Sequence, residues 1–195
     1  MNDREATRRR IEAAVSELVP VRPYGPGRLA LAWLLAGAVI AALGMLLVQP
    51  FRPHALVDLF RFPGFGVESL LGLFALLACA RAAMAQAVPD GRRGVPWTGV
   101  AIGAVLAWIG WLCGTLLVPS TPPTMEGKRD LCFAEVFAWS LPLALAAAAL
   151  QRRGLPLAPK RAAMLAGLAA GLVPAWLMQF ACMHLPAHGL THHVL

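Results

Sequence analysis

Charge is scarce in this chain. Of its 195 residues only 14% are Asp, Glu, Lys or Arg, while 58% are hydrophobic. Soluble globular domains carry about 25% charged residues, so that class is excluded. No acidic residue lies in the middle of a long apolar run, which removes the groups that a proton relay within a membrane requires. The four cysteines form no CxxC and no close pair, which excludes a thioredoxin-type motif and a zinc ribbon. Nucleophile elbow, phosphate loop and HExxH are all missing, and no enzyme class is indicated.

What the sequence has instead is apolar length. Runs of about 20 residues separate short charged blocks, and about that many helical residues cross a hydrocarbon core. In lipid the backbone must pair with itself, and no run alternates as a barrel strand does. The fold class is an all-α polytopic membrane protein with five transmembrane helices, at about 29–48, 67–88, 97–118, 131–150 and 162–182. Residues 1–27 form a separate N-terminal arm, and 28–195 form the helical bundle. The first apolar run begins near Leu29 and is long enough to span, so it reads as a span and not as a cleavable leader.

The net charge of +7 is explained by orientation and not by nucleic acid. With the N-terminus inside, inner segments hold thirteen basic residues and outer loops hold four (Arg52, Arg61, Lys128 and Arg129). That asymmetry follows the positive-inside tendency, so the arm is expected in the cytoplasm. Arg81, near the inner end of the second span, is expected to snorkel to water. Glu68 and Glu135 sit at span ends, where water is expected to solvate them.

The arm itself predicts a short amphipathic helix. Ile11, Val15 and Leu18 recur at i, i+4 and i+7, with Arg8, Arg9, Arg10, Glu12 and Glu17 available to other faces. Pro20, Pro23 and Pro26 end it in a stiff entry to the first span. The apolar stripe suits either the inner leaflet or a protein groove. Elsewhere the loop from Gln49 to Gly66 is apolar but too broken to span, and is expected at the outer interface. Gly99 with Gly103, and Gly110 with Gly114, predict that the third span packs inside the bundle. Gly167 and Gly171 make a further small pair in the fifth.

The candidate chemistry lies at the outer ends of the last two spans. Cys132 opens the fourth and Cys182 closes the fifth, so a helical hairpin places them at one depth. A disulfide is within reach of adjacent helices, and so is ligation of a thiophilic ion. Metal-ligand candidates are Cys132, Cys182, His184 and Glu135; His188 joins His184 at i, i+4 if the fifth helix continues past Pro186. Cys79 and Cys113 read as structural. Pro142 and Pro174 interrupt the two hairpin helices and are candidate hinges.

Several short motifs in order resemble one known family. They are Leu18-Val19-Pro20-Val21-Arg22-Pro23 before the first span, and Cys132 with Glu135 opening the fourth. Arg152-Arg153-Gly154-Leu155-Pro156 and Ala166–Gly171 follow, then Cys182 with His188 and His192. Together they resemble the NrsF family, bacterial inner-membrane negative regulators of sigma F. The resemblance implies an anti-sigma factor that holds an extracytoplasmic-function sigma factor and releases it under heavy-metal or oxidative stress. It implies that Cys132 and Cys182 are the responding thiols. No resident cofactor is implied, and the partners are the sigma factor and the bilayer. The family typically has six spans, the last after a His-containing segment like His188–His193; here five are expected. A small transporter of metal ions or other solutes is the alternative, although few polar groups are available to line a passage.

Overall fold

A computed structural model describes residues 3–16, 24–47, 51–88, 96–127, 131–154, 156 and 158–189. Among the described residues the architecture is all-helical, with five helices long and apolar enough to cross a membrane. The spans are α2 (Pro26–Leu47), α4 (Pro63–Ala87), α5 (Trp97–Thr115), α6 (Cys132–Arg152) and α7 (Pro159–Ala181). Shorter helices are α1 (Asp3–Ser16), α3 (Ala55–Arg61) and α8 (Pro186–Gly189). Each predicted span is present, with ends moved by a few residues. Pro63 and Pro159 start α4 and α7 at positions where a missing N–H is harmless. The loop read between the first two spans contains α3, packed against α4 and α7.

The centre of the bundle is α4 lying beside α7. α5 flanks α4, α6 flanks α7, and α2 lies across α4 and α6. Lipid supplies no hydrophobic force between helices, so close approach and hydrogen bonds hold them together. α4 meets that need with small residues: Ala75, Ala78, Ala80, Ala82, Ala83, Ala85 and Ala87 are all buried. Gly72 admits Trp108 and Trp176 to the same helix surface. Trp176 then donates its indole N–H to the Ser69 carbonyl at 2.9 Å, joining α7 to α4. Trp33 donates to the Leu143 carbonyl at 2.9 Å, joining α2 to α6.

The glycine pairs do otherwise than expected. A Cβ on Gly99, Gly103, Gly110, Gly114, Gly167 or Gly171 would meet nothing within 4 Å. α5 is therefore peripheral, and the interior positions went to the α4 alanines. Outward faces are apolar, as lipid contact requires. Leu31, Leu35, Val39 and Leu43 line α2, and Phe133, Phe137, Leu141 and Leu145 line α6, each at i, i+4 spacing and each exposed.

The two ends of the bundle differ. At the basic end, the Gln151 amide donates to the Ala83 carbonyl at 3.3 Å and the Ala162 carbonyl at 3.0 Å. One side chain thus ties α6 to both α4 and α7. Gly154 lies against the Ala87 carbonyl, where a Cβ would not fit. Arg81 stacks over Trp97, its guanidinium carbon 5.3 Å from the ring centre.

Candidate functional site

At the other end of α6 and α7, three side chains converge. Cys132 is the first residue of α6. Cys182 follows α7 in extended backbone, with φ −98° and ψ 167°. That extended residue turns the chain away from the helix axis, and α8 folds back so that His188 faces both thiols. His188 Nε2 is 3.2 Å from Cys132 Sγ and 3.2 Å from Cys182 Sγ. The three ligand-type atoms lie within 4.8 Å of one another. Both thiols are free, and both are buried, at 1% and 0% exposure. His188 is half-buried.

The predicted pair is therefore brought together, but its imidazole is His188 and not His184. α7 ends at Ala181, so the helical i, i+4 relation between the two histidines does not arise. His184 is instead paired with Thr124 in an antiparallel bridge, the Thr124 N–H donating to its carbonyl at 3.2 Å. Its ring stands 5.2 Å from Phe65, edge to face, and its Nε2 lies 3.1 Å from Ser120 Oγ. Glu135 is one turn into α6, half-buried, outside the three-residue cluster. Cys79 is buried in α4 and Cys113 is exposed on α5. In the arm, Ile11 and Val15 are each 59% exposed on α1, with Arg8 paired to Glu12 at 2.8 Å. Leu18 lies outside the described residues, as do His192 and His193.

Sequence reading missed the strap that holds this end. Arg52, counted above only as an outer charge, is 4% exposed. Its backbone N–H donates to the Phe180 carbonyl at 2.9 Å, and its guanidinium to the Cys182 carbonyl at 3.3 Å. The guanidinium also pairs with Asp58 at 3.5 Å and lies over Phe65 at 5.4 Å. Burial pulls it below the ordinary arginine range, opposed first by Asp58 and then by Glu126 and Glu68. Gly127, at φ +77°, lets the α5–α6 loop pass close to the Ala181 carbonyl and Arg52.

Glu68 departs from the solvated reading. It is 3% exposed and accepts a hydrogen bond from Ser120 Oγ at 2.7 Å. Ser120 thus stands between Glu68 of α4 and His184. Burial, reinforced by Arg52, pushes the His184 imidazole down to about 4, against a smaller upward pull from Asp58. It is neutral at ordinary pH. The backbone of Cys182 and His184 is thereby fastened to the α2–α3 region and the α5–α6 loop. The thiol cluster sits on a held framework. Two thiols beside an imidazole can lose protons to bind a soft cation, or lose electrons to form a disulfide.

A family model described as "NrsF: Negative regulator of sigma F" matches residues 15–194. No curated protein matches the chain, and no solved structure does.

Proposed function

Since the chain belongs to the NrsF family, the negative regulators of sigma F, we propose that it acts from the inner membrane on an extracytoplasmic-function sigma factor. Its arm binds the sigma factor in the cytoplasm, and metal or oxidant acting at Cys132 and Cys182 on the outer face releases it. The observation that carries the sensing half is the meeting of the two cysteines from the ends of α6 and α7. They are fifty residues apart in sequence and share one histidine. Burial alone would explain one small apolar cysteine, but not two converging on an imidazole.

The arm carries the partner half. Ile11 and Val15 are exposed together on one side of α1, and Leu18 continues their spacing. An amphipathic helix offering such a stripe docks in an apolar groove. The nearby arginines affect encounter rate more than affinity. Orientation rests on the thirteen-to-four distribution of basic residues.

Coupling runs along α7. One end of this helix leads into Cys182, and its other end is tied through Gln151 to α4 and α6. A change at the thiols that shifts α7 also shifts the basic end, on the arm's side of the membrane. Substantial release requires the two bundle states to differ by a few kcal/mol in sigma affinity.

Deleting residues 1–19 tests the partner assignment. The expected result is constitutive activity of a sigma-dependent reporter and loss of co-isolation of the sigma factor with the membrane protein. Unchanged repression would move sigma binding to the turn between Arg152 and Arg161.

A further inference from the structure

We infer that Cys132, Cys182 and His188 form a three-ligand site for a thiophilic divalent cation, with His188 as the third ligand. The inference rests on the reading of the two cysteines as sensing thiols, and it selects metal ligation as what their geometry is built for.

The distances fit. Two thiolates and one imidazole around a tetrahedral zinc-like ion stand about 3.6 to 3.8 Å apart, from bond lengths of about 2.3 Å to sulfur and 2.0–2.1 Å to nitrogen. Here each sulfur is already 3.2 Å from the shared Nε2, and all three atoms lie within 4.8 Å. Each sulfur–nitrogen distance needs to lengthen by only a few tenths of an ångström, and the sulfurs to settle within the 4.8 Å they already share, to admit an ion. A completed disulfide would make no bond to His188, whereas a bound ion would take its ring nitrogen, which faces both thiols equally, as a third ligand.

Charge selects the valence. Binding follows M²⁺ + 2 Cys–SH + His → M(Cys–S)₂(His) + 2 H⁺, which leaves the coordinated site neutral. Both cysteines are buried, and a net charge there would be costly. A monovalent ion would leave one negative charge uncompensated. Among the described residues the cluster's three ligand atoms are two sulfurs and one imidazole nitrogen, a donor set that suits soft cations better than calcium or magnesium. His188 is only half-buried, giving a side for ion entry and a fourth position for water. The ion would link the start of α6, the end of α7 and α8.

Cadmium and zinc are the probes. The full chain is purified in detergent with a phosphine reductant and titrated with Cd²⁺. One ion per chain is expected, with an ultraviolet thiolate-to-metal charge-transfer band that Cys132→Ser or Cys182→Ser abolishes. His188→Ala should weaken binding by about tenfold or more while both thiols remain titratable. Because that variant could perturb α8, X-ray absorption on the Zn²⁺-loaded wild type provides an independent reading. Two sulfurs and at least one imidazole nitrogen are expected in the first shell. Absence of the band, unchanged affinity in His188→Ala, or a shell without imidazole would overturn the site. None of these readouts involves the sigma factor. Loss of the metal site with cysteine-dependent reporter induction intact would therefore sink this inference alone. A bound ion without reporter response would sink the sensing reading alone.

Discussion

Lowering the pH from about 7.5 to about 4.5 should loosen the strap between the chain after α7 and the ends of α4 and α5. His184 is the group responsible. It is 8% exposed, with its Nε2 against Ser120 and its ring edge-on to Phe65. Its folded pKa is about 4, and an unfolded histidine titrates near 6.5. The folded state therefore binds fewer protons than the unfolded one between these values. Stability rises with pH through this window, is fully present above about 6.5, and is lost as pH falls toward 4. The difference of about 2.5 units corresponds to a ceiling of about 3.4 kcal/mol, at about 1.36 kcal/mol per unit. Unfolding free energy in mixed micelles, followed by tryptophan fluorescence across this range, measures it. Neighbouring Glu68, Arg52 and Asp58 contribute pH dependence of their own. The comparison is accordingly between wild type and His184→Gln, which keeps a polar side chain but does not titrate. The wild type should lose about 2–3 kcal/mol more than the variant on acidification. Parallel pH profiles in the two proteins would refute the reasoning.

Packing yields two further outcomes. A Cβ on Gly72 would stand 2.8 Å from Trp176 and 3.0 Å from Trp108, so Gly72→Ala should cost about 1–3 kcal/mol in the same assay. Gly103→Ala meets nothing within 4 Å and should leave stability unchanged or raise it by up to about 1 kcal/mol; equal losses in both variants would contradict the placement of α5 at the periphery. Arg52→Met removes the guanidinium bond to the Cys182 carbonyl and the pair with Asp58. It should cost about 1–3 kcal/mol and speed alkylation of Cys182, and an unaltered alkylation rate would show that the strap does not hold that segment.

Run length made the spans legible, because a membrane sets helix length from outside the protein. The depth match of Cys132 and Cys182 was legible for the same reason: two antiparallel helices of similar length begin and end together. Which helices occupy the centre was not. Small pairs such as Gly99 and Gly103 permit close packing without demanding it, and the buried surface belongs to the alanines of α4. The identity of the third group at the thiols depended on one backbone torsion. Had Cys182 stayed helical, His184 and His188 would share a face; extended backbone there sends His184 to Ser120 and brings His188 to the sulfurs. Arg52 was hidden because the carbonyls it donates to lie more than a hundred residues away, at Phe180 and Cys182. Nothing in the local pattern around Pro50 and Pro53 distinguishes a strapped arginine from a solvated one.

The most direct test of a switch working across the membrane is a sigma-dependent reporter in cells carrying Cys132→Ser with Cys182→Ser. Wild-type cells should induce the reporter on exposure to cadmium or oxidant. The double variant should repress normally without stress and stay repressed under it, showing that it still holds the sigma factor but no longer receives the signal. Induction of the double variant at wild-type levels would contradict the account, because the thiols at the ends of α6 and α7 would then have no part in the signal.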